Sequence, residues 1–580
     1  SEDFGLDWIG KRESYIIANT PCTSSLSLKR FDASEIDSED EEFADVIIEC
    51  DNLMAMKMMI KPYSSKIKVI FIDPPYNTGK EFIYSDDYQE TRETFLEKLH
   101  DDEGNVEKED KNDKSASKHT KWLNMMNSRL LISKQLLRPD GVMFVTISDD
   151  EHPRLRLMLD EIFGEENFIA NIVWNSTKSV TNTALISVGH THILCYAKNK
   201  DYFTSNKSDF RLPDSDEGFT NPDDDPRGKW KADPFQVEGE RPNQLYEIKN
   251  PNTGKIYTPS PGNSWKNDKK TFEKLNSKYH PKLNPEGDRI VFGTTGEAGP
   301  QRKRFLVDAL EKGRVAKTWW DDLPTTSNGT KELQQLFDGD RVFTNPKPIG
   351  LMERILDLAI SSPHNSEDAI ILDFFGGSGT TGHAAIKLNS QDGGKRRFII
   401  IQLPEALDEE SKKKIQKNEF ATIADVTFER LTRARESCNE KSNQLRQFSF
   451  TNSSFKRWQP EADNIVKIED YVEGFRSTLV NGDVDSENIL WEIAISLGVS
   501  LGANMQQVEL GEISVSYDPL TKVMIVPCIV DCESLLDTIE DIGYEVFTLG
   551  ILEDSFGSED NLKLNFKKWA EARNINVVLF

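Results

Sequence analysis

An α/β protein built on an open parallel sheet is what this sequence predicts, and three observations carry the prediction. Apolar runs of strand length alternate with stretches of helical apolar spacing between residues 44 and 197, and again between 351 and 403. One run, Val69-Ile70-Phe71-Ile72, stops abruptly at Asp73-Pro74-Pro75-Tyr76. Another, Ala369 to Phe374, enters the glycine turn Gly376-Gly377-Ser378-Gly379 and then a helix. Loops at the carboxyl ends of strands are where open α/β sheets bind ligands.

By length the 580 residues divide into about three or four domains, and 37% hydrophobic content is ample for their cores. No apolar run reaches membrane-spanning length, and Ser1-Glu2-Asp3-Phe4 lacks the basic and apolar segments of an export signal. A soluble, cytoplasmic protein without a membrane partner is expected, with one end processed or trimmed because the first residue is not Met. Six cysteines (Cys22, Cys50, Cys195, Cys438, Cys528 and Cys532) show no C-x-x-C or neighbouring His cluster of metal spacing. They are read as reduced and structural, with Cys528 and Cys532 buried, and no metal is expected. The net charge of −27 argues against nonspecific coating of nucleic acid. Pro226 to Trp320 departs from it, with 19 Lys or Arg against 11 Asp or Glu.

Taken in order, residues 1–45 read as a loosely structured lead-in. Ala44 to Glu49 reads as a strand, and Asp51 caps a Met-rich helix, Leu53 to Ile60. Because Asp51 follows a strand next to the Asp73 strand, it is also a candidate cofactor contact. Asp101 to Ser117 is almost wholly charged and polar and reads as a mobile surface loop. Trp122 to Leu137 has helical spacing and ends in the turn Arg138-Pro139-Asp140-Gly141. Strand Val142 to Ile147, helix Arg154 to Phe163 and strands Ile169 to Trp174 and His192 to Ala197 follow, all consistent with a parallel sheet. Residues 200–330 break the rhythm. Basic residues interleave with aromatics and prolines there, as in Arg227-Gly228-Lys229-Trp230 and Arg302-Lys303-Arg304-Phe305, a pattern suited to gripping phosphates and reading bases. A loop-rich insertion with a carbohydrate or protein partner is equally compatible. Leu351 to Ile360 is helical, and Thr381 to Leu388 and Phe398 to Leu403 complete a βαβ unit. The final 135 residues read as a small α/β interaction domain: helix Ser486 to Leu497, strands near Ile513 to Tyr517 and Val523 to Val530, helix Glu533 to Ile542, strand Glu545 to Leu549, helix Asn561 to Glu571 and strand Val577 to Phe580.

Two loops carry the chemistry. Pro74 and Pro75 cannot donate to a sheet, so the chain leaves it with Asp73 and Tyr76 displayed. A carboxylate, the Pro74 carbonyl and an aromatic face together suit a planar base with an exocyclic amino group. A strand-ending turn capped by Asp is the alternative. In the second loop the glycines let backbone amides approach a ligand at a helix N-terminus. Led by Asp373 and without the Lys of a phosphate-binding P-loop, it suits a cofactor with an amino-acid end, and a tight strand-to-helix turn of some other Rossmann-like protein is the alternative.

The order of these parts, Asp73 to Tyr76, then the basic insertion, then Asp373 to Thr381, resembles that of the β-class of amino-methylating DNA methyltransferases. Within that class it is similar to the modification subunits of type III restriction-modification systems. Trp122-Leu123-Asn124-Met125-Met126, Asp160 to Phe168, Gly329-Thr330-Lys331-Glu332-Leu333 and Leu552 to Phe556 carry the likeness over nearly the whole chain. The resemblance implies a Rossmann-like S-adenosylmethionine-dependent methyltransferase core with an inserted target-recognition domain and a small C-terminal α/β domain. The expected boundaries are 1–45 lead-in, 46–199 catalytic half, 200–340 target recognition, 341–445 cofactor half and 446–580 accessory domain. It implies catalytic roles for Asp73, Pro74, Pro75 and Tyr76, and cofactor contacts from Asp51, Lys347, Pro348, Asp373, Phe375, Gly377, Ser378, Gly379 and Gln402. Gln402 stands where relatives often present an acid to the cofactor ribose. Arg227, Lys229, Arg302, Lys303 and Arg304 are the expected DNA contacts. S-adenosyl-L-methionine is the expected cofactor; double-stranded DNA, a second copy of the chain and a separate helicase-nuclease restriction subunit are the expected partners. Asp in the first motif position points to adenine N6. Cytosine N4, an RNA or protein amide, or a non-catalytic recognition subunit with a relict fold are the alternatives.

Overall fold

The computed structural model describes residues 5–22, 24–32, 43–78, 111–293, 295–360, 369–407, 412–413, 415, 420–439, 444–455, 485–510, 513–527, 544–556 and 560–580. They form two compact units, Ser1–Asn206 with Lys317–Phe580, and Lys207–Ala316.

The larger unit is organised on ten strands: β1 (Ser24–Asp32), β2 (Ala44–Glu49), β3 (Ile67–Ile72), β4 (Leu137–Ile147), β5 (Phe168–Trp174), β6 (Thr191–Ala197), β7 (Trp319–Trp320), β8 (Ile370–Asp373), β9 (Arg397–Gln402) and β10 (Gln444–Asn452). Their order across the sheet is β1-β10-β2-β9-β8-β3-β4-β6-β5-β7. From β10 to β4 all neighbours are parallel. Every residue of β2, β3 and β8 is buried, as strands covered by helices on both faces must be.

The position of the site follows from topology. After β3 the chain crosses through helix Lys111–Leu136 to β4 on one side, and after β8 it crosses through helix Thr380–Asp392 to β9 on the other. Neighbours β3 and β8 therefore flank the point where strand order reverses, paired in register at Ile70 and Leu372. Their carboxyl ends open the crevice in which such sheets hold ligands.

Several expectations need correction. The sheet is mixed: β6 runs antiparallel to both β4 and β5, because the segment joining β5 to β6 contains no crossover helix. Residues 1–45 are no loose lead-in, since they hold helix Lys11–Asn19 and strand β1, which pairs with β10. Alternation hides this in the sequence: Leu26 is buried while polar residues flank it. Arg138 to Gly141 is a bulge within β4 and not a turn; the register jumps from Leu137 to Val142, and the buried Lys68 ammonium bonds the Asp140 carbonyl (2.8 Å) and carboxylate (2.9 Å) there. From Lys111 the expected surface loop is helical, while its first part, 101–110, lies outside the described residues.

Boundaries also differ. The separate unit is Lys207–Ala316, narrower than 200–340, because β7 rejoins the main sheet beside β5. Strand β10 carries the core past 445. Beyond it, helix Ser486–Leu497 packs on the same core, and a second sheet follows with strands Gln506–Leu510, Ile513–Asp518, Val523–Val526, Thr548–Ile551 and Asn576–Leu579. The strand expected at Glu545 begins at Thr548. Cys528, Cys532 and the helix expected from Glu533 to Ile542 lie outside the described residues. No helix among the described residues is long and apolar enough to cross a membrane.

Candidate active site

The first loop leaves β3 at Asp73, and its neighbours fix its shape. Trp122, fully buried on the following helix, donates its indole N–H to the Pro75 carbonyl at 2.7 Å. Asn77, in the left-handed region at φ 61°, donates to the buried Glu151 carboxylate at 2.5 Å, which also meets His119. The loop is thus pinned on both sides of Tyr76.

Asp73 is the hub. Its Oδ1 accepts from the Tyr76 hydroxyl at 2.9 Å and the Thr146 hydroxyl at 2.5 Å, while its Oδ2 is paired with the Lys347 ammonium. Each carboxylate oxygen has about two acceptor directions. Oδ1 is therefore saturated, and Oδ2 keeps one direction for a further N–H. Among the described residues the Pro74 carbonyl has no hydrogen-bond donor. Lys347 lies 5.3 Å from the Tyr76 ring centroid. Burial works against its charge, but Asp73 and Tyr76 outweigh this and hold it above the ordinary lysine range. Burial and the Asp73 carboxylate push the Tyr76 phenol up, so it stays protonated and donates.

Lys347 joins the two loops. Its ammonium reaches Asp73, and its carbonyl accepts from the Thr380 hydroxyl, at the start of the glycine-loop helix, at 3.3 Å. The strand of sequence behind it is braced: the Ile349 amide donates to Glu332 at 2.9 Å, and a Cβ on Gly329 would come within 2.5 Å of the Pro346 carbonyl. Gly329 and Glu332 thus brace the segment that carries Lys347.

The glycine loop is organised by side chains more than the sequence suggested. Buried Asp373 accepts from the Phe375 amide at 3.1 Å and the Thr381 hydroxyl at 2.6 Å. Burial raises its carboxyl to about 7 despite those donors. Gln402 accepts the Gly377 amide at 2.8 Å, Thr427 donates to the Gly377 carbonyl at 2.6 Å, and buried Arg430 donates to the Ser378 and Thr380 hydroxyls, both at 2.8 Å. Asp51 caps its helix through the Leu53 amide at 2.9 Å and pairs with buried Arg129 at 3.1 Å. The side chains of Asp51, Asp373, Ser378 and Gln402 thus also shape the loop and its surroundings. Sequence reading missed Thr146, Thr427 and Arg430 altogether; they are common residue types on neighbouring elements, and only folding brings them in.

A positive φ at Gly377 (51°) and Gly379 (79°) builds the turn, and at Gly379 a Cβ would meet Thr427 at 2.9 Å. Gly379 caps helix Thr380–Asp392 without a side-chain bond, so the helix start presents backbone amides to a ligand. Such a start fits the amino-acid carboxylate of S-adenosyl-L-methionine.

A prediction arises from Asp373. Its folded-state value lies above that of an unfolded carboxyl, so its contribution to stability is full below about pH 4 and is lost as pH rises towards about 7. Asp373→Asn is expected to flatten the fall in melting temperature between pH 4 and 7, as thermal melts across that range will show.

With both loops on one sheet edge, comparison decides the family. The model of the N6/N4 DNA methylase family matches residues 67–413, spanning Asp73 and the glycine loop together. The chain belongs to the DNA methylase family. This DNA methylase is 32% identical over 407 residues to the Mod subunit of the type III restriction-modification enzyme StyLTI of Salmonella typhimurium, a match covering 68% of the chain and 58% of that relative. It is 31% identical over 460 residues to the EcoP15I Mod subunit of Escherichia coli, covering 75% and 69%. The solved complex of M1.HpyAVI with SAM is 16% identical, covers 67% of this chain and 98% of that one, and superposes with a TM-score of 0.27, too slight a likeness to bear on the reading.

The expected DNA contacts all lie in the Lys207–Ala316 unit, and the structure divides them. Lys303, 3% exposed, pairs with Asp223 and Asp225, and Arg227 is bidentate to Asp225 while lying 4.3 Å from the Tyr279 and Phe305 rings. Against the effect of burial, Arg227 and Lys303 hold Asp225 well below the usual carboxylate range. These two cations are held by Asp225 within the unit, a correction that for Lys303 follows from strand alternation: Lys303 and Phe305 point inward, Arg302 and Arg304 outward. Removing one partner of a buried ion pair costs about 3 kcal/mol or more. Lys303→Ala is therefore expected to lower denaturant stability by that amount, measurable by urea unfolding.

Proposed function

We propose that the protein transfers a methyl group from S-adenosyl-L-methionine to the exocyclic N6 of an adenine in double-stranded DNA, as the modification subunit of a type III restriction-modification system. One observation carries the reading: Lys347 holds Asp73 by its side chain and the glycine loop by its backbone, so acceptor and donor loops meet at one residue. The names of the StyLTI and EcoP15I relatives support the type III assignment.

A base stacked in a duplex hides its amino group, so the target is swung out of the helix to reach the loop. Tyr76 offers the ring face for stacking. The free acceptor direction on Asp73 Oδ2 and the Pro74 carbonyl take the two amino hydrogens, which favours a pyramidal nitrogen with an available lone pair. S-adenosyl-L-methionine, when bound, supplies a methyl group on a positively charged sulfur. Attack of the nitrogen on that methyl would break the methyl–sulfur bond, leave a neutral thioether and place positive charge on the amine beside Asp73, whose carboxylate would stabilise it and take the departing proton. Lys347 and the two hydroxyls hold that carboxylate in position. Cys195, buried with its thiol pushed up, is in no setting for a nucleophile, and none is required.

The Lys207–Ala316 unit serves as the target-recognition region, with Lys229, Arg302 and Arg304 as its outward cations. Partnership with a second copy and with a separate restriction subunit completes the reading. The test is direct: the purified protein, genomic DNA lacking adenine methylation and labelled cofactor should yield N6-methyladenine in a fixed sequence context on sequencing. Label in N4-methylcytosine, or none, would overturn it.

A further inference from the structure

Three side chains outside the methyl-transfer crevice, Asp149, His190 and His192, lie together with no role in the methyl transfer. Asp149 lies two residues beyond the end of β4, and His190 and His192 sit at the start of β6, where His192 pairs with Ile147 across the strands. His192 Nε2 is 2.9 Å from Asp149 Oδ1, His190 Nε2 is 3.8 Å from the same oxygen, and the two Nε2 atoms are 3.3 Å apart. A point equidistant from three atoms so spaced lies about 2.0 Å from each, which is the bond length of zinc to imidazole nitrogen and carboxylate oxygen.

Hydrogen bonding supplies the second observation. His192 Nδ1 faces Asn171 Oδ1 at 3.3 Å, so the tautomer with its proton on Nδ1 has an acceptor there and frees Nε2 to act as a ligand. His192 Nε2 is directed at the Asp149 carboxylate oxygen and at His190 Nε2. In that tautomer a cation placed among the three atoms gains a ligand from each. An amide or carboxylate behind the ligating imidazole is also how proteins fix the tautomer of a metal-bound His. The His152 ring, stacked at 4.0 Å on His192, holds its plane.

We propose that Asp149, His190 and His192 form a binding site for a divalent transition-metal ion of the zinc class. Two nitrogens and one oxygen match its ligand preferences, and Asp149, 60% exposed, leaves the fourth position open to water. The ion ties the loop after β4 to β6 at the sheet edge where Thr146 supports Asp73. No single stretch of sequence shows the site, because 40 residues separate Asp149 from the His-x-His pair.

The experiment uses the untagged full chain, stripped with a chelator and dialysed against Zn²⁺. About one retained ion per chain is expected, displaceable by Co²⁺ with visible absorption, and His192→Ala, Asp149→Asn and Asn171→Ala should each weaken binding by about tenfold or more. Asp149→Asn changes an exposed side chain and so separates ligand loss from misfolding. Cys22→Ser and Cys438→Ser should leave binding unchanged. Failure to retain an ion, or equal retention by the Asp149 and His192 variants, would overturn the site and leave a proton shared among the three groups.

Discussion

Asp73→Asn is expected to lower turnover by on the order of 10²–10³-fold, with cofactor and DNA affinity little changed. The substitution keeps the shape that Tyr76, Thr146 and Lys347 surround but removes the charge that they were arranged to hold. Asn can still accept one N–H from a base, so substrate binding survives. It cannot stabilise or take the proton from a methylated amine. Rapid-quench measurement of the methyl-transfer step, beside fluorescence titrations of both ligands, separates the two. A matching loss in affinity and rate would make Asp73 a binding residue only.

Lys347→Met is the second large effect, about 10²-fold in the same step. The stem keeps its packing while the ammonium is lost. Asp73 Oδ2 then has no cation, and Tyr76 loses the charge near its ring. Lys347→Arg is expected to recover part of the rate only, because a planar fork does not reproduce a point charge. If Lys347 instead only contacted the cofactor, Met would raise the cofactor's KM and leave the rate at saturation unchanged.

Much of this was legible in the chain. Val69 to Tyr76 announces both a buried strand and its sudden end, and Asp373 to Thr381 announces a strand, a glycine turn and a helix. Two such endings in an α/β rhythm imply one ligand edge. What composition could not convey was which side chains complete that edge. Lys347 looked like a cofactor contact because Lys347-Pro348 resembles the segment leading into the family's cofactor loop, and only the packing of 329–348 turns its ammonium to Asp73. Arg430 and Thr427 carry no local signature, since their role depends on helix Ile423–Cys438 lying along the glycine loop. The basic run Arg302-Lys303-Arg304 misled for the opposite reason: charge counts do not show which face of a strand a Lys occupies. Strand β1 was missed because one buried Leu among serines leaves a weak alternation.

Asp73 grips the amine acceptor at the loop that Lys347 ties to the glycine turn. Nucleoside mass spectrometry of DNA after incubation with wild type and with Asp73→Ala tests it most directly. Wild type should generate N6-methyladenine and Asp73→Ala none above background, although that variant still binds DNA. N6-methyladenine formed at comparable rates by both proteins would contradict it.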